Sequence, residues 1–304
     1  ILAPFYFLFF GLMLSDAAYG LILTTLCAII LKKYKPEGTT HRMIKMFMFC
    51  GLSTFMWGAL FGGWFGNFFT VAAKTFFGKE FVIRPLWFDP LSEPMRLLVV
   101  SLILGAIHLF VGMGVQAYMD IKDGRPLDAL FDIGLWYLLL IGIVLFAFGG
   151  KLGAGAVGIG KIMAIVGAVG ILLTGGRKKK GIFGKLTGGL GSLYGITSYL
   201  SDVLSYSRLL ALGLATGVVA QVFNTLGSLA GGGIAGSILL IVVFAFGTVF
   251  NIAINALGAF VHSCRLQYVE FFGKFYTGGG RPFAPFERKT KYIKILKEGN
   301  DNVK

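Results

Sequence analysis

The sequence predicts an all-α fold, a polytopic bundle of membrane helices that ends in two long, steeply tilted helices. Composition is the first reason: 56% of the 304 residues are hydrophobic and 14% are charged, whereas a soluble domain carries roughly a quarter charged residues. Recurrence is the second: apolar runs appear at 1–31, 44–72, 96–120, 128–149, 156–175, 187–226 and 236–276. The third is the length of the last two runs. Each is about 40 residues, or about 60 Å of helix, against a hydrocarbon core of about 30 Å. Helices of that length tilt or protrude. The 45 glycines fit the close helix packing of membrane interiors.

The first run carries Ser15-Asp16-Ala17-Ala18-Tyr19-Gly20 near its centre. Loop charges bear on its shape. Loops 32–43 and 176–186 and the tail after 280 are strongly basic, so the positive-inside rule puts them in the cytoplasm. Loop 150–155 has one lysine and loop 227–235 has no charge, so both are external. Seven crossings with a cytoplasmic C-terminus would leave residue 1 outside. A bend or re-entrant break at Asp16 turns the first run into two short helices and makes eight. The expected organisation is a transmembrane domain over 1–280 and a basic cytoplasmic tail over 281–304. The chain opens at Ile1 in an apolar run, and an upstream part is expected to be absent from it.

The net charge of +14 is clustered in short loops and the tail. That pattern faces anionic lipid headgroups rather than nucleic acid. Cys27, Cys50 and Cys264 lie in or beside apolar runs and imply no disulfide framework or metal site. Gly155-Ala156-Val157-Gly158-Ile159-Gly160-Lys161 imitates part of a phosphate-binding loop. It lacks the following Ser or Thr that such a loop needs, since Ile162 stands there, and it reads as a turn and helix start. Trp57, Trp64, Trp87 and Trp136 suit interfacial anchoring. His108 reads as a packed, hydrogen-bonded histidine. No nucleophile–base pair stands out, so no catalytic residue is assigned.

Arg208 is the residue that composition cannot absorb. It lies in an apolar helical run, and a guanidinium does not shed its proton. Charge in hydrocarbon costs several kcal/mol, so such an arginine marks function. Arg265 repeats the pattern in the next run. At about 100° per residue, Ser201, Ser205 and Arg208 share one face. Asn251, Asn255, Gly258, His262 and Arg265 form a stripe, and Ser263, Gln267 and Glu270 a second one. Ser201, Ser205 and Asn251 also read as ordinary interhelical hydrogen bonding. Asp16 and Asp202 are candidate pathway carboxylates. Asp16 reads equally well as a buried structural acid.

Ser205-Tyr206-Ser207-Arg208-Leu209-Leu210-Ala211-Leu212 resembles the arginine helix of the membrane subunit of V-type and A-type rotary ATPases, subunit a or subunit I. Val261-His262-Ser263-Cys264-Arg265-Leu266-Gln267-Tyr268-Val269-Glu270-Phe271, with Lys274-Phe275-Tyr276 and Gly278-Gly279-Gly280-Arg281-Pro282-Phe283-Ala284-Pro285-Phe286, resembles the family's closing segment. The Leu14–Gly20 run and the Ile107-His108 pair resemble its earlier membrane helices. The resemblance spans nearly the whole chain.

It implies a stator subunit whose two long helices pack against a rotating proteolipid c/K ring. Arg208 matches the essential arginine that faces the ring carboxylates, and Arg265 the supporting arginine. An opposite charge favours ionisation of a ring carboxylate, so ions would enter and leave through two offset half-channels. H⁺ or Na⁺ would be transported, with no permanently bound cofactor. Further implied partners are a central-stalk socket subunit (C/d type), peripheral-stalk E/G subunits reached through an N-terminal domain absent here, and membrane lipids. The setting would be the plasma membrane of a bacterium or archaeon. Proton-pumping eukaryotic members carry a histidine and a glutamate where this chain has Thr216 and Asn255. Those neutral side chains tilt the expectation toward Na⁺. Two other functions fit the residues: a stand-alone secondary transporter, although no internal repeat is evident, and a structural anchor for a soluble complex.

Overall fold

The computed structural model describes residues 2–77, 83–151, 154–175, 177, 182–229, 233–276, 278–281, 283 and 285–286. The described residues are mostly helical in the apolar runs, with breaks at 15–16 and 62–67, and contain no strand. Seven helical stretches are long and apolar enough to cross a membrane, and Leu2–Leu14 is a shorter apolar helix beside them.

The first run breaks at Ser15-Asp16 into α1 (Leu2–Leu14) and α2 (Ala17–Tyr34). Ser15 adopts φ +34°, which no helix continues through. Asp16 then caps α2 by accepting from the backbone N–H groups of Ala18 and Tyr19. Lys32 and Lys33 sit in the last turn of α2, where cations offset the helix dipole. α3 (Gly38–Phe61) returns antiparallel and ends at Gly62 in the left-handed conformation.

α1 forms the axis of the main core. Phe9, Phe10, Leu12 and Leu14 are fully buried there with Leu97, Leu209, Ala259 and Leu266. Those partners come from α5 (Pro94–Lys122), α11 (Ser207–Ser228), α12 (Ile234–Arg265) and the π-helical turn Leu266–Phe271. A helix of about 20 Å is too short to span hydrocarbon, so its neighbours rather than lipid enclose it. α2 and α3 approach closely at glycines. A Cβ on Gly20 would strike the backbone of Phe55, and one on Gly58 the backbone of Ala17 and Asp16.

A second core joins α7 (Leu135–Phe148) to α8 (Ala154–Thr174). Trp136, Leu139 and Ile171 meet there with Met113 of α5. The run Gly155–Lys161 lies within α8. Between α5 and α7 come α6 (Pro126–Ala129) and a π-helical turn over Leu130–Gly134. Arg177 binds Asp132 at 3.0 Å and also pairs with Asp128. α4 (Phe68–Phe77) occupies part of the stretch read from sequence as polar.

The run 187–226 is not a single straight helix. It comprises α9 (Ile182–Tyr194), α10 (Ile196–Ser205) and α11, with breaks at Gly195 and Tyr206. At Tyr206 the bonds shorten to three residues, Tyr206 to Val203 and Leu209 to Tyr206. The last run is α12, the π turn and α13 (Phe272–Phe275). Of the basic loop, 176 and 178–181 lie outside the described residues, as do 282, 284 and 287–304 of the tail.

Gly58→Ala forces two backbones apart and is expected to cost about 1–3 kcal/mol, measured as a lower thermal midpoint in detergent. Gly158→Ala, with open space around it, is not expected to lower it.

Candidate functional site

Arg208 sits one residue into α11, just after the tight turn at Tyr206. Its Nη1 donates to Glu270 Oε1 at 3.4 Å, with Arg208 26% exposed and Glu270 2%. Glu270 lies in a π turn over Leu266–Phe271. Three residues apart, Gln267 and Glu270 fall within about 60° of each other on a regular helix. Both are buried here, along with Leu266 and Phe271. Leaving either member of a buried ion pair alone costs about 3–5 kcal/mol, so each holds the other in place.

A second ion pair ties the same segments together. Lys274 Nζ binds Asp202 Oδ2 and lies 4.0 Å from the centre of the Tyr199 ring. The pairs 202–274 and 208–270 run in antiparallel register. Asp202, a pathway candidate by sequence, is therefore committed to Lys274. Sequence reasoning missed Lys274 and Tyr199. The available signal was a lysine four residues after Glu270 facing an aspartate six residues before Arg208.

The polar stripe of α12 divides. Asn251 and Asn255 are buried, His262 is half-buried and Arg265 is exposed. The side chains that bury are spaced by four: Asn251, Asn255, Ala259 and Ser263. Asn255 Nδ2 donates to Asn251 O at 3.1 Å and to its side-chain oxygen. Asn251 Nδ2 donates to Tyr19 Oη at 3.0 Å and to Thr216 O at 3.1 Å. Thr216 Oγ1 donates to Leu212 O at 3.1 Å. Thr216, Asn251 and Asn255 thus bond chiefly to one another and to neighbouring backbone, and with Tyr19 they lock α2, α11 and α12 together. Ser201 is exposed and Ser205 is half-buried.

Asp16 is 2% exposed. Its Oδ1 accepts from the N–H groups of Ala18 (3.0 Å), Tyr19 (3.2 Å) and Phe65 (3.2 Å), and Oδ2 from that of Gly66 (3.0 Å). Four backbone donors converge on one carboxylate and fasten the turn after α3 to the start of α2. The side chain also borders a cavity of about 220 Å³ shared with Asn67, Asp89 and Gln221. The geometry carries the structural reading of Asp16.

His108, read from sequence as a packed, hydrogen-bonded histidine, is fully buried in an aromatic box. Its ring stacks on Phe271 at 4.3 Å and 2° and lies against Phe5 and Phe9. Its Nδ1 is 2.7 Å from Tyr206 Oη. Gly105 makes room for the tyrosine, since a Cβ there would overlap the ring.

Residues 196–288 match the V-type ATPase 116 kDa subunit family. The chain is 35% identical over 323 residues to the A-type ATP synthase subunit I of Methanocaldococcus jannaschii, covering 96% of this chain and 45% of that protein. It is 36% identical to the A-type ATP synthase subunit I of Thermococcus kodakarensis, over 97% of this chain and 44% of the relative. The V-type ATP synthase subunit I of Borreliella burgdorferi is 25% identical over 94% of this chain and 48% of its own length. The chain spans just under half the length of these curated relatives.

Asp16→Asn replaces one acceptor oxygen by a donor that faces N–H groups. The expected loss is about 1–3 kcal/mol, seen as a lower thermal midpoint. A purely ion-conducting Asp16 would leave the midpoint unchanged and lower transport alone.

Proposed function

Since this chain belongs to the subunit I family of A-type and V-type ATP synthases, we propose that it is the ion-translocating stator part of such a rotary complex. It performs no ATP chemistry itself. It provides two offset half-channels, and the proteolipid ring carries ions between them. The observation that carries this reading is the setting of the two arginines. Arg208 is partly exposed and held by Glu270, and Arg265 is exposed on the adjoining long helix. Apolar side chains surround them on the outward surfaces, among them Leu200, Leu204, Ile254, Leu257 and Val261. A fixed cation on an otherwise apolar face suits a rotating partner that brings carboxylates past it. Arg208 lets each arriving carboxylate ionise and release its ion.

Arg208 faces the ring carboxylates and Arg265 supports it. Socket and peripheral-stalk subunits would complete the assembly, with the basic loops and C-terminus in the cytoplasm. The transported ion is H⁺ or Na⁺. The neutral Thr216 and Asn255 favour Na⁺, but Asn255 donates to Asn251 and the Thr216 hydroxyl to the backbone of Leu212, and this weakens that preference.

In the reconstituted complex, Arg208→Gln is expected to lower ATP-driven ion uptake by at least about a hundredfold, the scale of losing one preorganised stabilising group. Uptake should be measured with and without Na⁺. Normal coupled uptake in this variant would leave the chain as an anchor and overturn the mechanism.

A further inference from the structure

Four buried side-chain atoms without a hydrogen-bond partner belong to three neighbouring residues: His108 Nε2, both amide atoms of Gln267, and Glu270 Oε2. Burying an unsatisfied polar atom costs about 1–3 kcal/mol. A phenylalanine at 108 would fill the aromatic box without that cost. The polar atoms also form a sequence in space. Gln267 lies beside His108 and lines a largely apolar cavity of about 520 Å³ with Tyr6, Met43, Met46 and Tyr268. Met43 and Tyr268 are exposed at its mouth. Met43 belongs to the start of α3, at the basic end of the bundle. His108 Nδ1 meets Tyr206 Oη at 2.7 Å. Glu270 is close enough to act electrostatically on the Tyr206 hydroxyl, and Glu270 holds Arg208.

We propose that Gln267, His108 and Tyr206 form a buried proton relay from the basic end of the bundle to Glu270 and Arg208. The inference rests on the stator reading and deepens it by naming the proton as the ion. A proton entering past Gln267 binds His108 Nε2. The Nδ1 proton then passes to the Tyr206 oxygen, and the former hydroxyl proton leaves Tyr206 for Glu270. One N–H bond forms as another breaks, one O–H bond forms on Tyr206 as another breaks, and one proton arrives on the carboxylate. No electrons are exchanged. Rotation of the Tyr206 hydroxyl and return of the imidazole to its first tautomer reset the path. The protonated Glu270 loosens its hold on Arg208, which frees the guanidinium for an arriving ring carboxylate. The charged groups facing this path are Glu270 and Arg208, with Asp202 acting on Tyr206 from α10. The rings of Phe5, Phe9 and Phe271 close the other sides.

The test uses the complete complex in proteoliposomes, with a pH-sensitive dye and radioactive Na⁺ read in parallel. Tyr206→Phe keeps the packing and removes the hydroxyl. It is expected to lower ATP-driven proton uptake at least about tenfold, the low end of proton-transfer catalysis being a hundredfold. His108→Ala should fall similarly and recover in part with added imidazole, a rescue that a packing role would not produce. Uptake at the wild-type rate in Tyr206→Phe, while Arg208→Gln is inactive, overturns the relay and leaves the stator reading standing. Na⁺ uptake without proton uptake also overturns it. Normal uptake in Arg208→Gln removes the stator reading, and the relay with it. Should His108→Ala fail to assemble, Tyr206→Phe decides alone.

Discussion

A guanidinium that stays charged must be given a counter-charge before an apolar bundle can hold it. In this chain Glu270 supplies that charge to Arg208, and much of the surrounding geometry follows. Glu270 is buried within a π turn over Leu266–Phe271, a type of irregularity that recurs at functional sites. The facing segment tightens at Tyr206 and sets Arg208 on the partly exposed side. Asp202 and Lys274 repeat the ion pair further along the same seam. Two pairs in antiparallel register fix how these segments slide relative to each other, which neither pair would do alone.

The same economy of polar groups runs through the rest of the bundle. Asp16 sits where α1 stops, and its carboxylate gathers four backbone donors that would otherwise be buried without partners. Asn251, Asn255, Thr216 and Tyr19 satisfy one another across three helices. Four of the six unpartnered buried side-chain atoms among the described residues belong to His108, Gln267 and Glu270, the other two being His262 Nδ1 and Glu93 Oε2.

Glycine makes these arrangements reachable. At Gly20 and Gly58 the backbones of α2 and α3 touch where any side chain would collide. In a membrane, association depends on such close packing rather than on expelling water from apolar surfaces. The glycines thereby hold the break at Asp16 against the end of α3 and support the turn that Asp16 fastens.

The helical membrane class, the approximate extent of the apolar runs and the singular cost of Arg208 were all legible before any folding. Those are properties of composition and length, and hydrocarbon applies the same rule at every position. The interruption at Asp16 was also legible, because an acid with an Asx-type capping side chain interrupts an apolar run. The partners of the charges were not legible. Regular 3.6-residue periodicity put Arg265 on one stripe with Asn251 and Asn255, whereas the asparagines face inward and the arginine outward. It did group Ser263, Gln267 and Glu270, which are all buried, but gave no hint of the π turn that carries the last two. Lys274, Tyr199 and the His108–Tyr206 bond join residues far apart in the chain. Only the tertiary structure could decide these, because a helix face becomes a site only when another helix is packed against it.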